Sequence, residues 1–250
     1  GLREGPFDRS GAVGEDAFGE RLLVLMGEEG IDPRGVGRVG CPTGTAHITV
    51  DAVGQNSIVV VPGANQLVGP ERVRAADPQR TGWLVTQLEL PLETVAGAIE
   101  WARASGARTV LTPAPARALT EQLLRQVDLL VPNEIEACQL TGLADPIAAA
   151  CELSLWSGDV VVTLGSGGSA WAHGGRVVHR QPARPVGVVD TTAAGDTFVG
   201  VLVARLAAGD GLEDAIRSAT VAASIAVGRP GATDSMPTLA EIEAVSREGA

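Results

Sequence analysis

A regular alternation of short apolar segments and longer helical patterns is the feature that most restricts the fold of this chain. The apolar segments are rich in Val and Leu and lie at 83–86, 109–111, 128–131 and 160–164. The sequence between 83–86 and 109–111 predicts a helix with Pro91 at its first position and Gly106 directly after its last residue, where helices often have Pro and Gly. Short buried strands alternating with helices favour a parallel sheet covered on both faces. We therefore expect a three-layer α/β/α fold with a mostly parallel sheet.

Two apolar segments near the N-terminus lie outside this alternation. Residues 45–51 and 57–61 are rich in Val, Ile and Thr, and a turn at 54–56 separates them. Such a pair predicts a β-hairpin. We therefore expect a small antiparallel lid over about residues 45–61. The other predicted elements are helices at 17–29, 91–105, 120–126, 133–140, 146–156, 194–208, 212–227 and 238–247, a hairpin at 170–180 and a strand at 186–189.

Lysine is absent from the sequence, and all 19 basic residues are Arg. A P-loop needs a Lys at the phosphates, a pyridoxal enzyme needs one for its Schiff base, and a protein kinase needs one on a strand. The absence of lysine excludes these three classes. The net charge of −11 also makes the chain a poor partner for nucleic acid or for an anionic membrane. We therefore expect neither of these as a partner.

The cysteines form no pattern typical of a metal site or a disulfide framework. Cys41, Cys138 and Cys151 are widely spaced, without a C-x-x-C pair, and we interpret them as small core residues in a reducing compartment. No apolar run is long enough to cross a membrane, and we expect no secretion signal at the N-terminus. The sequence therefore predicts a cytoplasmic protein.

The most informative segment is GVVDTTAAGDTFVG at 187–200, where an apolar stretch ends at Asp190 and a helix starts near Ala194. Small residues in such a turn let a ligand approach the backbone closely. The N–H groups and the positive end of the helix dipole favour a phosphate or a phosphoryl group in transfer. Asp196 is then a candidate general base for a hydroxyl nucleophile, although Asp is also a common helix cap.

This segment, with others in the same order, resembles the ribokinase-like (PfkB-type) carbohydrate kinases. The resemblance extends from about residue 11 to the C-terminus, and residues 1–10 stay unmatched, so we expect one domain over 11–250. It is most specific for the ribokinase branch, through PAPAR and the spacing of VGRPGATDS. The matching segments are VGEDAFGERL (13–22), PGAN (62–65), QLELPLETV (87–95), PAPAR (113–117), VPNEIEACQLTG (131–142), TLGSGG (163–168), AAGDTFVG (193–200) and VGRPGATDSMP (227–237).

The resemblance implies an ATP-dependent sugar kinase that converts D-ribose to D-ribose 5-phosphate. It assigns Asp196 as the catalytic base, and the backbone amides of Ala194 and Gly195 as part of an anion hole. Asn133 and Glu136 would organise Mg²⁺ and the phosphates, partly through water, which suits the preference of Mg²⁺ for oxygen ligands. The nucleotide-binding residues that it implies are Asn133, Thr163, Gly165, Ser166, Gly168, Gly195 and Thr220.

The resemblance also implies a site for a monovalent cation, usually potassium. Arg229 would contribute its backbone carbonyl there, since its side chain is itself a cation. Glu89 matches a carboxylate near the sugar, and Asp196 also belongs to the substrate-binding residues. The implied cation ligands are Asp190, Thr192, Ala226, Arg229, Gly231 and Ser235.

Each of these residues also has a purely structural interpretation. Asn133 and Glu136 have the spacing of a capping box at a helix N-terminus. Glu89 is interpreted as a surface residue in this alternative. The segments 165–168 and 229–231 are then an ordinary turn and an ordinary loop.

The sequence departs from the family in the segment that supplies most of the sugar-binding groups. Family members begin with a strand that carries G-x-x-N-x-D, followed by lid strands and G-G-K-G-x-N, and a chain without Lys cannot contain the latter motif. We therefore expect a truncated lid and about half of the sugar site. The nucleotide, cation and base sites are expected to be nearly complete.

Three functional interpretations follow from nearly complete nucleotide, cation and base sites beside an incomplete sugar site. The first is a ribose kinase that uses ATP, Mg²⁺ and K⁺. The second is a non-catalytic nucleotide-binding protein, and the third is a kinase of the same family with another acceptor, such as a nucleoside, a sugar acid or a fructose phosphate. The family resemblance also implies a homodimer that pairs two lids.

Overall fold

The computed structural model describes residues 10–50, 56–74 and 82–248. The chain packs as two compact units, Gly1–Ala107 and Arg108–Ala250. Among the described residues, no helix has both the length and the apolar composition to span a membrane. The unmatched segment 1–10 lies outside these ranges, except for Ser10.

The first unit contains two small two-stranded sheets. One pairs β1 with β2 in parallel, with Gly11 opposite Val36. The other pairs β3 with β4 in an antiparallel hairpin, with Thr45 opposite Val61. The elements of this unit are β1 (Gly11–Gly14), α1 (Ala17–Glu28), β2 (Val36–Val39), β3 (Thr45–Val50), β4 (Asn56–Val61), α2 (Pro70–Arg74), β5 (Trp83–Gln87) and α3 (Leu92–Ala104).

The start of α1 depends on one carboxylate. Asp16 is the N-cap, and its Oδ1 accepts a hydrogen bond from Gly19 N at 2.8 Å. Thr43 donates to the same carboxylate from its backbone N (2.7 Å) and its hydroxyl (2.7 Å), and its hydroxyl accepts from Gly14 N at 2.9 Å. The Thr43 hydroxyl, then these N–H groups, hold the pKa of Asp16 below its usual value.

The second unit is built on strands that lie in the order β10-β9-β8-β7-β6 within one sheet. Strands β6, β7 and β8 are parallel, whereas β9 is antiparallel to both β8 and β10. The elements of this unit are β6 (Arg108–Thr112), α4 (Glu121–Leu124), β7 (Leu129–Leu130), α5 (Glu134–Thr141), α6 (Pro146–Leu153), β8 (Asp159–Thr163), β9 (Ser169–His173), β10 (Arg176–Gln181), α7 (Ala194–Ala207), α8 (Leu212–Ala226) and α9 (Leu239–Glu248).

The core of the second unit lies along its parallel strands. Leu111, Leu130 and Val161 have no exposed surface, and burying such a side chain contributes roughly 1.5–3 kcal/mol. Helix α7 packs against α8, with Leu202 and Ala219 fully buried. The small residues of α8 allow this close contact, which holds α7 in place in the second unit.

The predicted α/β fold, with parallel strands and a small antiparallel sheet, is confirmed. The hairpin of the lid is confirmed as β3 and β4, while residues 54–55 of its predicted turn lie outside the described ranges. The strand predicted at 186–189 is wrong. Val189 N donates instead to Val227 O at 2.7 Å, so this apolar segment is a loop held by the end of α8.

Candidate active site

The carboxyl ends of two neighbouring parallel strands bring Asn133 and Thr163 together. The two residues form an isolated parallel bridge, and Thr163 N donates to Pro132 O at 3.0 Å. Asn133 follows β7 and Thr163 ends β8, so both lie at the same edge of the sheet. Open α/β sheets bind their ligands at this edge.

Asn133 and Glu136 form the capping box that their spacing predicts. Asn133 Oδ1 accepts from Glu136 N at 2.8 Å, and Glu136 Oε2 accepts from Asn133 N at 2.8 Å. The structural interpretation of this pair is therefore confirmed. The box uses one atom of each side chain, so Asn133 Nδ2 and Glu136 Oε1 lie outside it. Burial raises the pKa of Glu136, against the hydrogen bond from Asn133 N.

The turn between β8 and β9 is built from glycines with positive φ. Gly165 has φ 52 and Gly168 has φ 85, and Gly168 N donates to Gly165 O at 3.0 Å. A Cβ on Gly168 would lie 2.0 Å from Gln181 O, whereas a Cβ on Gly165 would have no atom within 4 Å. Gly165 and Ser166 are exposed, so this turn presents open backbone beside Thr163.

Helix α7 begins without a capping side chain. Its N-cap is Ala193, which has the left-handed conformation with φ 59 and ψ 9 and no side-chain oxygen to offer. The first helical bond joins Thr197 N to Ala193 O at 2.8 Å. Helix N-termini leave N–H groups without intrahelical acceptors, and here Gly195 and Asp196 lie in that first turn. Asp196 is therefore at the third helical position, with an exposed side chain, and is not the cap residue.

Asp190 joins the two loops that contain the predicted cation ligands. Its Oδ1 accepts from Thr192 N at 2.9 Å, and its Oδ2 accepts from Gly231 N at 3.0 Å. The hydroxyl and backbone N–H of Thr192, with the N–H of Gly231, hold the pKa of Asp190 below its usual value. Asp190 therefore stays ionised at neutral pH and fixes the loop that leads into α7.

The other predicted cation ligands lie along the second loop. Arg229 N donates to Ala226 O at 3.0 Å. Ser235 is fully buried, and its hydroxyl donates to Ala232 O at 2.7 Å. The predicted ligand atoms are carboxylate, carbonyl and hydroxyl oxygens, which suit a hard cation. Within residues 10–50, 56–74 and 82–248, no group of three or more His, Cys, Asp or Glu side chains is placed to hold a metal ion.

Two further predicted residues belong to other elements. Thr220 is on α8, nearly buried, and its hydroxyl donates to Ile216 O at 2.9 Å. Glu89 is in the first unit, exposed between β5 and α3. Sequence reasoning missed Ala193, since no pattern predicts a left-handed alanine. It also missed Glu241, although T-x-x-E at Thr238 is a capping-box signal.

Comparison with known proteins gives a consistent result. Residues 7–239 match the model of the pfkB family carbohydrate kinases. A ribokinase of Staphylococcus aureus (strain COL) is 42% identical over 212 residues, covering 81% of this chain and 69% of that protein. A deoxyribokinase of Salmonella typhi is 36% identical over 237 residues, covering 91% of this chain and 77% of that protein.

A solved structure agrees in fold. Arabidopsis thaliana ribokinase, complexed with ribose and ATP, superimposes with a TM-score of 0.85 at 30% identity, covering 96% of this chain and 81% of that one. The family resemblance inferred from the motifs is thereby confirmed. The chain belongs to the pfkB family of carbohydrate kinases.

Proposed function

We propose that this carbohydrate kinase transfers the γ-phosphate of ATP to the 5-hydroxyl of D-ribose, giving D-ribose 5-phosphate and ADP. The observation that carries the proposal is the start of α7, where an uncapped helix N-terminus and an exposed carboxylate at Asp196 coincide. Ribokinase relatives with 34–42% identity support the choice of acceptor.

In this proposal Asp196 is the general base. Its carboxylate takes the proton of the sugar hydroxyl while that oxygen forms a bond to the γ-phosphorus. The bond from the γ-phosphorus to the bridging oxygen breaks, and ADP leaves with the electron pair. The N–H groups of Ala194 and Gly195, with the positive end of the dipole of α7, stabilise the charge on the phosphoryl group. The Ala194 N–H donates to Thr191 O at 3.3 Å in the structure, and the proposal requires it to donate to the phosphoryl group instead.

The edge of the sheet beside Asn133 and Thr163 is the proposed nucleotide site. Asn133 Nδ2 can donate to a phosphate oxygen, and the exposed turn at Gly165, Ser166 and Gly168 lets the nucleotide approach the backbone. The hydroxyl of Thr220 donates to Ile216 O within α8, so Thr220 contacts the adenine of the nucleotide through its methyl group. Glu89 is proposed to contact the sugar.

Two cations belong to the proposal. Glu136 Oε1, which the capping box leaves unused, fits Mg²⁺, an ion that takes carboxylate oxygens and keeps several waters. Magnesium supplies charge neutralisation at the phosphates. The oxygen donors of Asp190, Thr192 and Ser235, with the carbonyls of Ala226, Arg229 and Gly231, fit K⁺, which would neutralise charge beside the loop preceding α7.

The assembly and compartment of the enzyme are also proposed. Hairpin β3–β4 exposes Val59, Val60 and Val61, at 63%, 50% and 46% of their surface. We infer that two such hairpins pair in a homodimer, because Val59 and Val61 expose apolar side chains on one face of β4 and Val60 on the other, and exposed apolar surface is typical of an association surface. Cys41, Cys138 and Cys151 are free thiols, which supports the cytoplasm as the compartment.

The first test measures ADP release with Mg-ATP and K⁺, comparing D-ribose, 2-deoxy-D-ribose and no sugar. We expect release that depends on D-ribose and falls about 10²–10⁴-fold in Asp196→Asn, the loss typical of a general base. The matched control is Asp214→Asn, since Asp214 is exposed at the same third position of α8. Its activity should stay within about twofold of the parent.

Other outcomes would overturn parts of the proposal. Faster release with 2-deoxy-D-ribose would assign the acceptor of the deoxyribokinase relative. Sugar-dependent release that persists in Asp196→Asn would remove Asp196 as the base. A chain whose melting temperature rises with ADP, but which shows no turnover with either sugar, would be a nucleotide-binding protein without kinase activity.

A further inference from the structure

Helix α9 contacts both loops that carry the proposed cation ligands. Arg184, on the segment that leads to Asp190, donates from Nη1 to Val245 O at 3.1 Å. Arg229, on the second loop, donates from Nη2 to Glu241 Oε1 at 2.5 Å. One arginine from each loop is therefore attached to the same helix.

The carboxylate of Glu241 holds two partners at once. Its Oε2 accepts from Thr238 N at 2.7 Å and from the Thr238 hydroxyl at 2.9 Å, which caps the start of α9. Its Oε1 is the acceptor for Arg229. Because the cap fixes the Glu241 side chain, the guanidinium of Arg229 is fixed relative to α9. Both side chains are partly exposed, at 37% and 41%, so their contact contributes geometry more than net stability.

The backbone before Arg229 is bonded to the end of α8, through Gly228 N to Ile225 O at 3.2 Å and Arg229 N to Ala226 O at 3.0 Å, whereas the residues after it have fewer such bonds. Pro230 has no N–H to donate, and Gly228 and Gly231 on either side add conformational freedom. Gly231 has φ 94, and its N–H reaches Asp190 in the first loop. The Arg229 side chain therefore adds a second attachment, which joins this stretch to α9 as well as to α8.

We infer that Glu241 is a positioning residue, which through Arg229 holds the 228–231 backbone so that the site binds a monovalent cation tightly. The inference rests on the proposed cation site. Glu241 acts on the ligand carbonyl of Arg229 and does not touch the cation. Residues that orient metal ligands typically change metal affinity about 10–100-fold when they are substituted.

The test measures cation binding by thermal stability. The melting temperature of the full chain with ADP is followed as KCl replaces choline chloride at constant ionic strength. We expect Glu241→Gln to raise the half-saturating K⁺ concentration at least about tenfold, because one amide oxygen can serve the cap or the arginine but not both. Arg229→Met should do the same, since it removes the guanidinium and keeps the backbone carbonyl.

Two comparisons separate positioning from simple helix capping. Thr238→Ala removes the hydroxyl from the cap, but keeps the bond from the backbone N of residue 238 to Glu241 Oε2 and the Arg229 contact. It should therefore lower the melting temperature without moving the half-saturating K⁺. Glu243→Gln changes an exposed carboxylate on the same helix and should alter neither quantity. The double variant Glu241→Gln with Arg229→Met should have the same half-saturating K⁺ as either single variant, because both substitutions remove the same contact. In ADP-release assays, Glu241→Gln should recover the parent kcat at saturating K⁺.

The possible results separate the role inferred for Glu241 from the proposed cation site on which that role rests. If the parent chain shows no stabilisation by K⁺ over choline, the proposed cation site is wrong. If the parent responds but Glu241→Gln and Arg229→Met keep its half-saturating K⁺, the role of Glu241 is wrong. An equal shift in Thr238→Ala would mean that Glu241 acts only as the cap of α9, which also overturns the inference.

Discussion

Asp16 joins three backbone segments of the first unit through one carboxylate. It accepts from Gly19 N at the start of α1 and from both donors of Thr43. The hydroxyl of Thr43 in turn accepts a hydrogen bond from Gly14 N at the end of β1. These bonds favour the ionised carboxylate, which is why the pKa of Asp16 is lowered.

The first prediction concerns the pH dependence of this contact. A lowered pKa in the folded state means that Asp16 contributes stability above its ordinary value of 3.8, and that this contribution is lost as pH falls through the folded pKa. Asp16→Asn should therefore be less stable than the parent at pH 7, with a difference that shrinks below about pH 4. Urea unfolding from pH 7 to pH 2.5 measures it. Glu15→Gln, at the exposed neighbour, should show no such trend, and a constant difference for Asp16→Asn would contradict the prediction.

Asn133 and Glu136 show how far a residue-level pattern extends. Their N-x-x-E spacing predicts a capping box, and the box is present. The same spacing predicts nucleotide and magnesium contacts only through the family resemblance. Since the box leaves Asn133 Nδ2 and Glu136 Oε1 outside it, one pair can hold the helix and also face a ligand. The spacing alone could not separate these roles.

At the scale of elements, the turn between β8 and β9 shows which glycines the fold requires. Gly165 and Gly168 have positive φ, whereas Gly167 does not. The room for a side chain also differs between these glycines. A Cβ on Gly168 would lie 2.0 Å from Gln181 O, whereas a Cβ on Gly167 would have only Leu164 Cβ nearby, at 3.2 Å. The TLGSGG motif by itself ranks these glycines equally.

The second prediction is a graded series of alanine substitutions in this turn. Gly165→Ala should cost about 1–2 kcal/mol, the penalty of a left-handed residue with a Cβ. Gly168→Ala should cost more, at least about 3 kcal/mol, because backbone strain and a clash with Gln181 O combine. Gly167→Ala is the matched control and should cost less than about 1 kcal/mol. Denaturant unfolding gives the order, and equal losses at the three positions would refute it.

At the scale of the whole molecule, the predicted residues divide between the two units. The proposed base, nucleotide and cation residues lie in Arg108–Ala250, whereas Glu89 and the β3–β4 hairpin lie in Gly1–Ala107. The first unit therefore carries the hairpin assigned to association and one of the two residues assigned to sugar binding, Glu89, while the other, Asp196, belongs to the second unit. Its hairpin is a two-stranded sheet, and isolated two-stranded sheets are marginal in water.

The third prediction follows from that hairpin. Analytical ultracentrifugation should show a dimer of the parent chain, and Val60→Asp should shift it to monomer, because a charge on the paired hairpins is costly to bury. Val178→Asp changes a valine of similar exposure on β10 and should leave the dimer intact. A monomeric parent chain at micromolar concentration would exclude this mode of association.

Local patterns in the sequence determined most of the elements and the family of this protein. The periodicity of apolar residues, the helix-capping residues and the glycine-containing turns predicted the alternation from β5 to β8, the hairpin of the lid and the last three helices. Each of these signals lies within a few neighbouring residues. The order and spacing of short motifs identified a carbohydrate kinase through their resemblance to a known family. The parallel pair β1 and β2 was missed, because four-residue strands that contain glycine carry too little apolar signal.

Tertiary structure alone decided the features that depend on distant partners. Residues 186–189 have the apolar composition of a strand, but Val189 N donates a hydrogen bond to Val227 O at the end of α8, and the segment is a loop. Asp190 reaches Gly231 across 41 positions, and Arg229 reaches Glu241 from another element. Ala193 takes a left-handed conformation that alanine does not favour. The contacts of Val189, Asp190 and Arg229 join segments that are separated in the chain, so no local pattern of residues contains them, and no local pattern predicts a left-handed alanine either.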